Sequence, residues 1–221
     1  VAELLRSQAL FRHREGGETN QMEQEAASFL GVRHTLMVNS GTSALICALT
    51  GVGVGPGDEV IIPGYTFIAT AAAVIATGAV PVIAEIDESL GLDPIDAERK
   101  ITPHTKAIVP VHMRGVPAKL NDLIAVARRN NLRVVEDCCQ SVGAEYMGQK
   151  VGTFGDAGAW SLNYYKTISA GEGGLVYTND RDVFERACFA ADPGLPMWKE
   201  ASHVSEWQNE PFPRQTYRPS E

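Results

Sequence analysis

An α/β fold, with a mostly parallel mixed sheet covered by helices on both faces, is predicted by three features of this sequence. Short β-branched runs alternate with helical stretches of about ten residues from His34 to Glu136. Strands joined through helices make right-handed crossover units, and those units build parallel sheets. The composition, 44% hydrophobic and 21% charged over 221 residues, fits a folded body and excludes a disordered or repetitive chain.

Taken in order, residues 1–30 read as a polar N-terminal segment. Met22, Ala26, Phe29 and Leu30 recur there at helical spacing, and Gly31 is a stop. His34 to Val38 then reads as strand and Ser43 to Val52 as helix. Glu59 to Ile62 and Val80 to Ile86 are strands around a helix from Ile68 to Thr77. Pro94 to Ile101 is a helix, Lys106 to Val111 a strand, Lys119 to Asn130 a helix and Arg133 to Glu136 a strand. Beyond Gly148 the strands are punctuated by glycine, at Ala157 to Leu162 and Gly174 to Thr178, before a helix from about Arg181 to Ala190. From Asp192 onward no period is visible.

The charge balance, 19 Lys and Arg against 27 Asp and Glu, disfavours a nucleic-acid or anionic-membrane partner and favours a small molecule. Cys47, Cys138, Cys139 and Cys188 follow no zinc-ligand or CxxC spacing, so neither a disulfide framework nor a structural metal is expected, and the compartment reads as the cytoplasm. The start VAELLRSQALFRHREGG has no secretory pattern. Val60 to Ala84 carries no charge, but Pro63, Gly64, Gly78 and Pro81 interrupt it and it is rich in Ala and Thr. It therefore reads as strand, loop, buried helix and strand rather than a membrane span.

In such sheets ligands sit beyond the carboxyl ends of the strands, so the loops after Val38, Ile62, Val111 and Glu136 should converge on one crevice. Three segments there carry chemistry. Asn39-Ser40-Gly41-Thr42-Ser43 opens a helix, as an anion cradle or an ordinary N-cap. Glu136-Asp137 ends an apolar strand ahead of Gln140. It is a solvated pair or, for the one acid that faces the crevice, a partner for a protonated ring nitrogen. Lys166 follows an apolar strand and two tyrosines, as a surface charge or an amine poised to attack a carbonyl. Together these are the anchor, ring partner and amine that a pyridoxal phosphate site requires.

The blocks NSGTSAL, GVGPGDEVIIPGYTFIATAAAV, ITPHTKAIVPVH, VVEDCCQSVGAEYMGQKVGTFGDAGAWS and YYKTISAGEGGLVYTND resemble the DegT/DnrJ/EryC1/StrS family of sugar aminotransferases, in that family's order, over most of residues 31–180. The resemblance implies a pyridoxal phosphate-binding large domain over 31–191, and a tail over 192–221 leading into a smaller C-terminal domain that this chain lacks. It implies Lys166 as the Schiff-base lysine and catalytic acid and base, Asp137 on the pyridine nitrogen and Gln140 beside the phenolic oxygen. Gly41, Thr42, Ser43 and Ser161 would hold the phosphate, and Phe67 would stack on the ring.

The implied reaction moves an amino group from glutamate or glutamine to the ketone of a sugar or cyclitol, in a homodimer; Lys166 argues against the dehydratase branch, which carries histidine there. A truncated, catalytically silent cofactor-binding or partner subunit is the alternative, and fold and lysine alone do not exclude a different reaction of the same cofactor. His112-Met113-Arg114-Gly115 departs from the family's usual forms, with Arg114 either a turn residue or a contact for a substrate anion. Cys138 and Cys139 read as small apolar fillers, His104 as exposed and inert, and Thr216 stands where the family carries asparagine.

Overall fold

The computed structural model describes residues 2–8 and 16–192. The reading of residues 193–221, Thr216 included, lies outside the described residues. Among the described residues nine strands form, in chain order β1 (His34–Val38), β2 (Glu59–Pro63), β3 (Val80–Ala84), β4 (Thr105–Ile108), β5 (Arg133–Asp137), β6 (Glu145–Tyr146), β7 (Gln149–Lys150), β8 (Ala157–Ser161) and β9 (Gly174–Thr178). The helices are α1 (Ala2–Ser7), α2 (Glu18–Leu30), α3 (Gly41–Gly51), α4 (Ala69–Ala76), α5 (Pro94–Arg99), α6 (Leu120–Arg129) and α7 (Arg181–Ala191).

Seven strands make one sheet in the order β1-β9-β8-β5-β4-β2-β3. The pairs from β8 across to β3 are all parallel, while β9 runs against both β8 and β1. Period-two alternation sends neighbouring side chains to opposite faces. Val60, Ile62 and Val135 face a core with Leu45 and Leu49 of α3, Val74 of α4 and Val183 of α7. Ile61, Ile108 and Val134 instead meet Ala97 of α5 and Leu123 and Val126 of α6. Ala26 and Leu30 of α2 cover Trp160, Leu175 and Tyr177. Both faces of the sheet are thereby sheathed in helix, which removes the strands' apolar surface from water.

The α2 stop is at Gly31, in the left-handed conformation with its N–H on the Ala27 carbonyl. The uncharged run from Val60 resolves into β2, α4 and β3, and no helix of the described residues is long and apolar enough to cross a membrane. Two strands end two or more residues earlier than expected. Ile86 keeps only an isolated bridge to Leu92, and beyond Ile108 the ladder is interrupted at Pro110, which has no N–H, with Val111 bridging Asp137. A hairpin absent from the sequence reading joins β6 to β7 through Met147 (φ 51°) and Gly148 (φ 81°), the two positive φ values that a tight two-residue turn uses.

Candidate active site

At the carboxyl edge of the sheet, the turn from β1 into α3 is capped by Ser40. Its Oγ accepts the Ser43 N–H at 3.0 Å, and its hydroxyl donates to the Ser43 Oγ at 3.0 Å. The Gly41 and Thr42 N–H groups lie in the first turn, where no intrahelical acceptor exists, so the helix start can receive an anion. Gly41 is required by close approach: a Cβ there would lie 2.6 Å from the Ser161 Cβ and 2.9 Å from its Oγ. Buried Ser161 at the end of β8 is thus brought against the helix start, although 120 residues separate the two in sequence. On β9, a Cβ at Gly174 would run into the Ser40 carbonyl, which closes the turn from the other side.

The two acids at the end of β5 point apart, as neighbours on a strand must. Asp137 is 5% exposed, and each of its oxygens holds one donor. Oδ2 accepts the Thr70 hydroxyl at 2.8 Å and Oδ1 the Cys139 N–H at 3.0 Å. Because Thr70 gives its proton to Asp137, Thr66 supplies the proton in the 2.7 Å Thr66–Thr70 bond. The Asp137 carboxylate keeps lone pairs for a further donor.

Glu136, fully buried, faces the other way. Its oxygens accept the N–H groups of Gly152, Phe154 and Gly155 at 2.7–2.8 Å, and its Oε2 lies 3.1 Å from the His112 Nε2. His112, Glu136 and Cys138 have ligand-type atoms within 4.8 Å of one another, the geometry of a metal cluster. Their donors and acceptors are already engaged, with the His112 Nδ1 taking the Ala118 N–H at 3.1 Å. Burial first, and then the Glu136 charge, push the Cys138 thiol well above its usual range. Within this cluster Glu136 and His112 bond each other and the surrounding backbone.

Half-buried Lys166 places its Nζ 5.9 Å from the centroid of the Phe67 ring, which is 61% exposed and leaves a face open to solvent. Burial, and then the Asp137 charge, raise the Cys139 thiol well above its usual range. Lys166 acts on that thiol in the opposite sense, which ties lysine, thiol and Asp137 into one electrostatic neighbourhood. Gln140 is half-buried, its Oε1 accepting the Arg114 N–H at 3.3 Å. Arg114 itself is exposed on a left-handed turn (φ 51°). His104 is exposed, and Cys138 is buried as a small filler.

Thr70 and His112 carry no role in the sequence reading, and Glu136 enters it only as one of two acids of which one faces the crevice, yet these three side chains hold the acids in place. A threonine amid alanines has no distinguishing period, and the partners of Glu136 lie 16 to 24 residues away. A strand ending in two acids, one of which must face the core, is the signal that could have found Glu136.

The donor set fits pyridoxal phosphate: a helix start and serine hydroxyl for a phosphate, a buried carboxylate with a spare lone pair, and an amine beside an open aromatic face. Among solved structures the architecture is that of an aminotransferase. DesV of S. venezuelae, solved in complex with a ketimine intermediate, matches with a TM-score of 0.81 and 40% identity over 91% of this chain and 54% of its own. In sequence, the UDP-N-acetyl-3-dehydro-alpha-D-glucosamine 3-aminotransferase of Acidithiobacillus ferrooxidans is 45% identical over 76% of this chain and 46% of its own length. The L-glutamine:2-deoxy-scyllo-inosose aminotransferase of Streptoalloteichus tenebrarius is 44% identical over 74% and 39%. The model of the DegT/DnrJ/EryC1/StrS aminotransferase family matches residues 1–207, and the chain belongs to that family. It spans about half the length of the relatives it matches.

Proposed function

We propose that this chain carries the cofactor-binding part of a pyridoxal phosphate-dependent aminotransferase that moves an amino group from glutamate or glutamine to the ketone of a sugar or cyclitol. The observation that carries this reading is the gathering of Lys166 and Phe67, from two separate loops, and Asp137, from the end of β5, at the edge of the sheet where a helix start is built to take an anion. Relatives named for a keto-sugar and for a cyclitol substrate support the substrate class.

The bound cofactor supplies an electron sink for the bond changes at the amine-bearing carbon. Gly41, Thr42 and Ser43, with Ser161, hold its phosphate by helix-start N–H groups and hydroxyls. Asp137, anchored by Thr70 and the Cys139 N–H, keeps the ring nitrogen protonated. Phe67 packs on the ring face at small entropic cost, and Gln140 offers its amide to the phenolic oxygen. Lys166 would hold the cofactor through its amine, and the same amine is the group placed to move a proton as general base and acid. The exposed rim of Phe67, Ile68, Tyr164 and Tyr165 supports a homodimer in which a second copy covers the site. Cysteines that form no disulfide support a cytoplasmic setting.

The test is an absorption spectrum of the purified chain with pyridoxal phosphate, repeated for Lys166→Ala and after glutamate or glutamine is added. A lysine-dependent visible band that either donor bleaches is expected. A band indifferent to both donors would leave a silent cofactor binder, and no lysine-dependent band would overturn the assignment of Lys166.

A further inference from the structure

We propose that Glu136 is a positioning residue for the cofactor site. Its buried carboxylate, clamped by the loop 152–155 and by His112, sets the direction in which the adjacent Asp137 presents its own carboxylate. The inference rests on the reading that Asp137 faces the cofactor.

Glu136 is a carboxylate side chain with no exposed surface, an arrangement that is costly unless its lone pairs are satisfied. They are satisfied by dipoles. Oε1 accepts the N–H groups of Phe154 (2.8 Å) and Gly155 (2.7 Å), and Oε2 accepts the N–H of Gly152 (2.7 Å) and faces the His112 Nε2 (3.1 Å). The tautomer of His112 follows from its other contact: Nδ1 accepts the Ala118 N–H at 3.1 Å, so the ring proton sits on Nε2 and is donated to Glu136. Every hydrogen bond at Glu136 is therefore an accepted one, the pattern a carboxylate meets and an amide cannot. With glutamine, one of the two positions would turn an NH2 toward N–H donors, and His112 cannot relieve the conflict by changing tautomer without losing Ala118.

The same residues hold Asp137 through the main chain. The His112 N–H donates to the Asp137 carbonyl at 3.1 Å, and the Asp137 N–H donates to the Pro110 carbonyl at 2.8 Å. His112 thus bonds Glu136 with its ring and Asp137 with its backbone. On the far side the loop lies hard against the strand, since a Cβ at Gly155 would be 2.6 Å from the Val134 carbonyl oxygen. With the Cα of Asp137 fixed this way, the Thr70 hydroxyl and Cys139 N–H meet its two oxygens. A hydrocarbon side chain at 136 would satisfy a core. A buried carboxylate gathering four donors locks a geometry instead.

The Cys139 amide, which donates to the Asp137 Oδ1, reports the direction of that carboxylate without any ligand. Its hydrogen exchange is measured by NMR in the cofactor-free chain, together with the pH titration of the visible band of bound pyridoxal phosphate. In Glu136→Gln, Cys139 exchange is expected to quicken by about tenfold or more, the band's midpoint to shift, and the cofactor to bind more weakly. His112 supplies a second pair of variants that does not depend on Glu136→Gln folding. His112→Gln can place an amide N–H where Nε2 stood and keeps Cys139 protected, whereas His112→Asn reaches only the Nδ1 position and loses that protection. Equal Cys139 exchange in wild type and Glu136→Gln, or in the two His112 variants, overturns the proposal. Loss of the Lys166-dependent band in wild type strikes the cofactor reading instead, and the amide measurement separates the two failures.

Discussion

Replacing Gly41 with alanine tests whether contact between the helix start and β8 builds the anion cradle. The new methyl would sit 2.6 Å from the Ser161 Cβ, 2.9 Å from its Oγ and 3.1 Å from its Cα, where ordinary carbon contacts are about 3.5–4.0 Å. Ser161 belongs to a strand whose residues are all buried, so it cannot swing aside. Alanine is otherwise welcome at a helix start, which leaves the clash as the only cost. Overpacking of this kind costs about 1–3 kcal/mol; at about 2–4 °C per kcal/mol the melting temperature should fall by roughly 2–12 °C. Urea denaturation of Gly41→Ala, Ser161→Gly and the double variant gives the coupling directly. Ser161→Gly removes the two nearest atoms, so that the nearest remaining contact is the Cα at 3.1 Å, and the double variant should recover most of the loss. A single variant within about 0.5 kcal/mol of wild type, or an undiminished penalty in the Ser161→Gly background, would refute the contact.

Thr70→Val removes a hydrogen bond to a buried carboxylate and should cost about 2 kcal/mol by chemical denaturation, with Thr70→Ser restoring most of it; equal stability of the Val and Ser variants would contradict the bond. Cys139, whose thiol burial and the Asp137 charge push well above its usual range, should react with iodoacetamide at pH 8 far more slowly than a free thiol, and fast labelling read by mass spectrometry would contradict its setting. Burial alone would raise the Asp87 carboxyl, but hydrogen bonds from Ser89 and Lys119 outweigh it and hold the group below its ordinary value of 3.8. Its contribution is therefore present above that pH and lost as the pH falls through the folded value. Asp87→Asn should lower stability at neutral pH by less than about 1 kcal/mol, with the gap closing in acid, and a gap that widens in acid would contradict the sign.

Most of the fold was legible because the strands alternate and the helices keep their period. β1 and β9 fall where the sequence reading puts them, and the shortened β4 differs at a proline whose effect is local. The β6–β7 hairpin escaped because two-residue strands carry no period and because Met147 adopts a positive φ that its side chain does not advertise. Of the candidate site, the opposed directions of Glu136 and Asp137 were readable from strand geometry. What holds each acid was not. Thr70 comes from a helix 67 residues upstream, and three of the four donors to Glu136 from a glycine-rich loop downstream, so these contacts exist only after the chain has folded back.

The placement of β9 sets an order on synthesis. β1 leaves the ribosome ahead of the other strands of this sheet, yet among the described residues its partner in the sheet ends at Thr178, and the Arg33 N–H waits for an acceptor on Asn179, 146 residues later. The parallel block from β2 through β5 can assemble behind it on contacts of shorter range. Ser161 and Gly174, which close the turn at Gly41, emerge only with the last strands. The pocket for an anion therefore forms only after the other strands of this sheet have been made, and a ligand that needs it cannot guide their pairing.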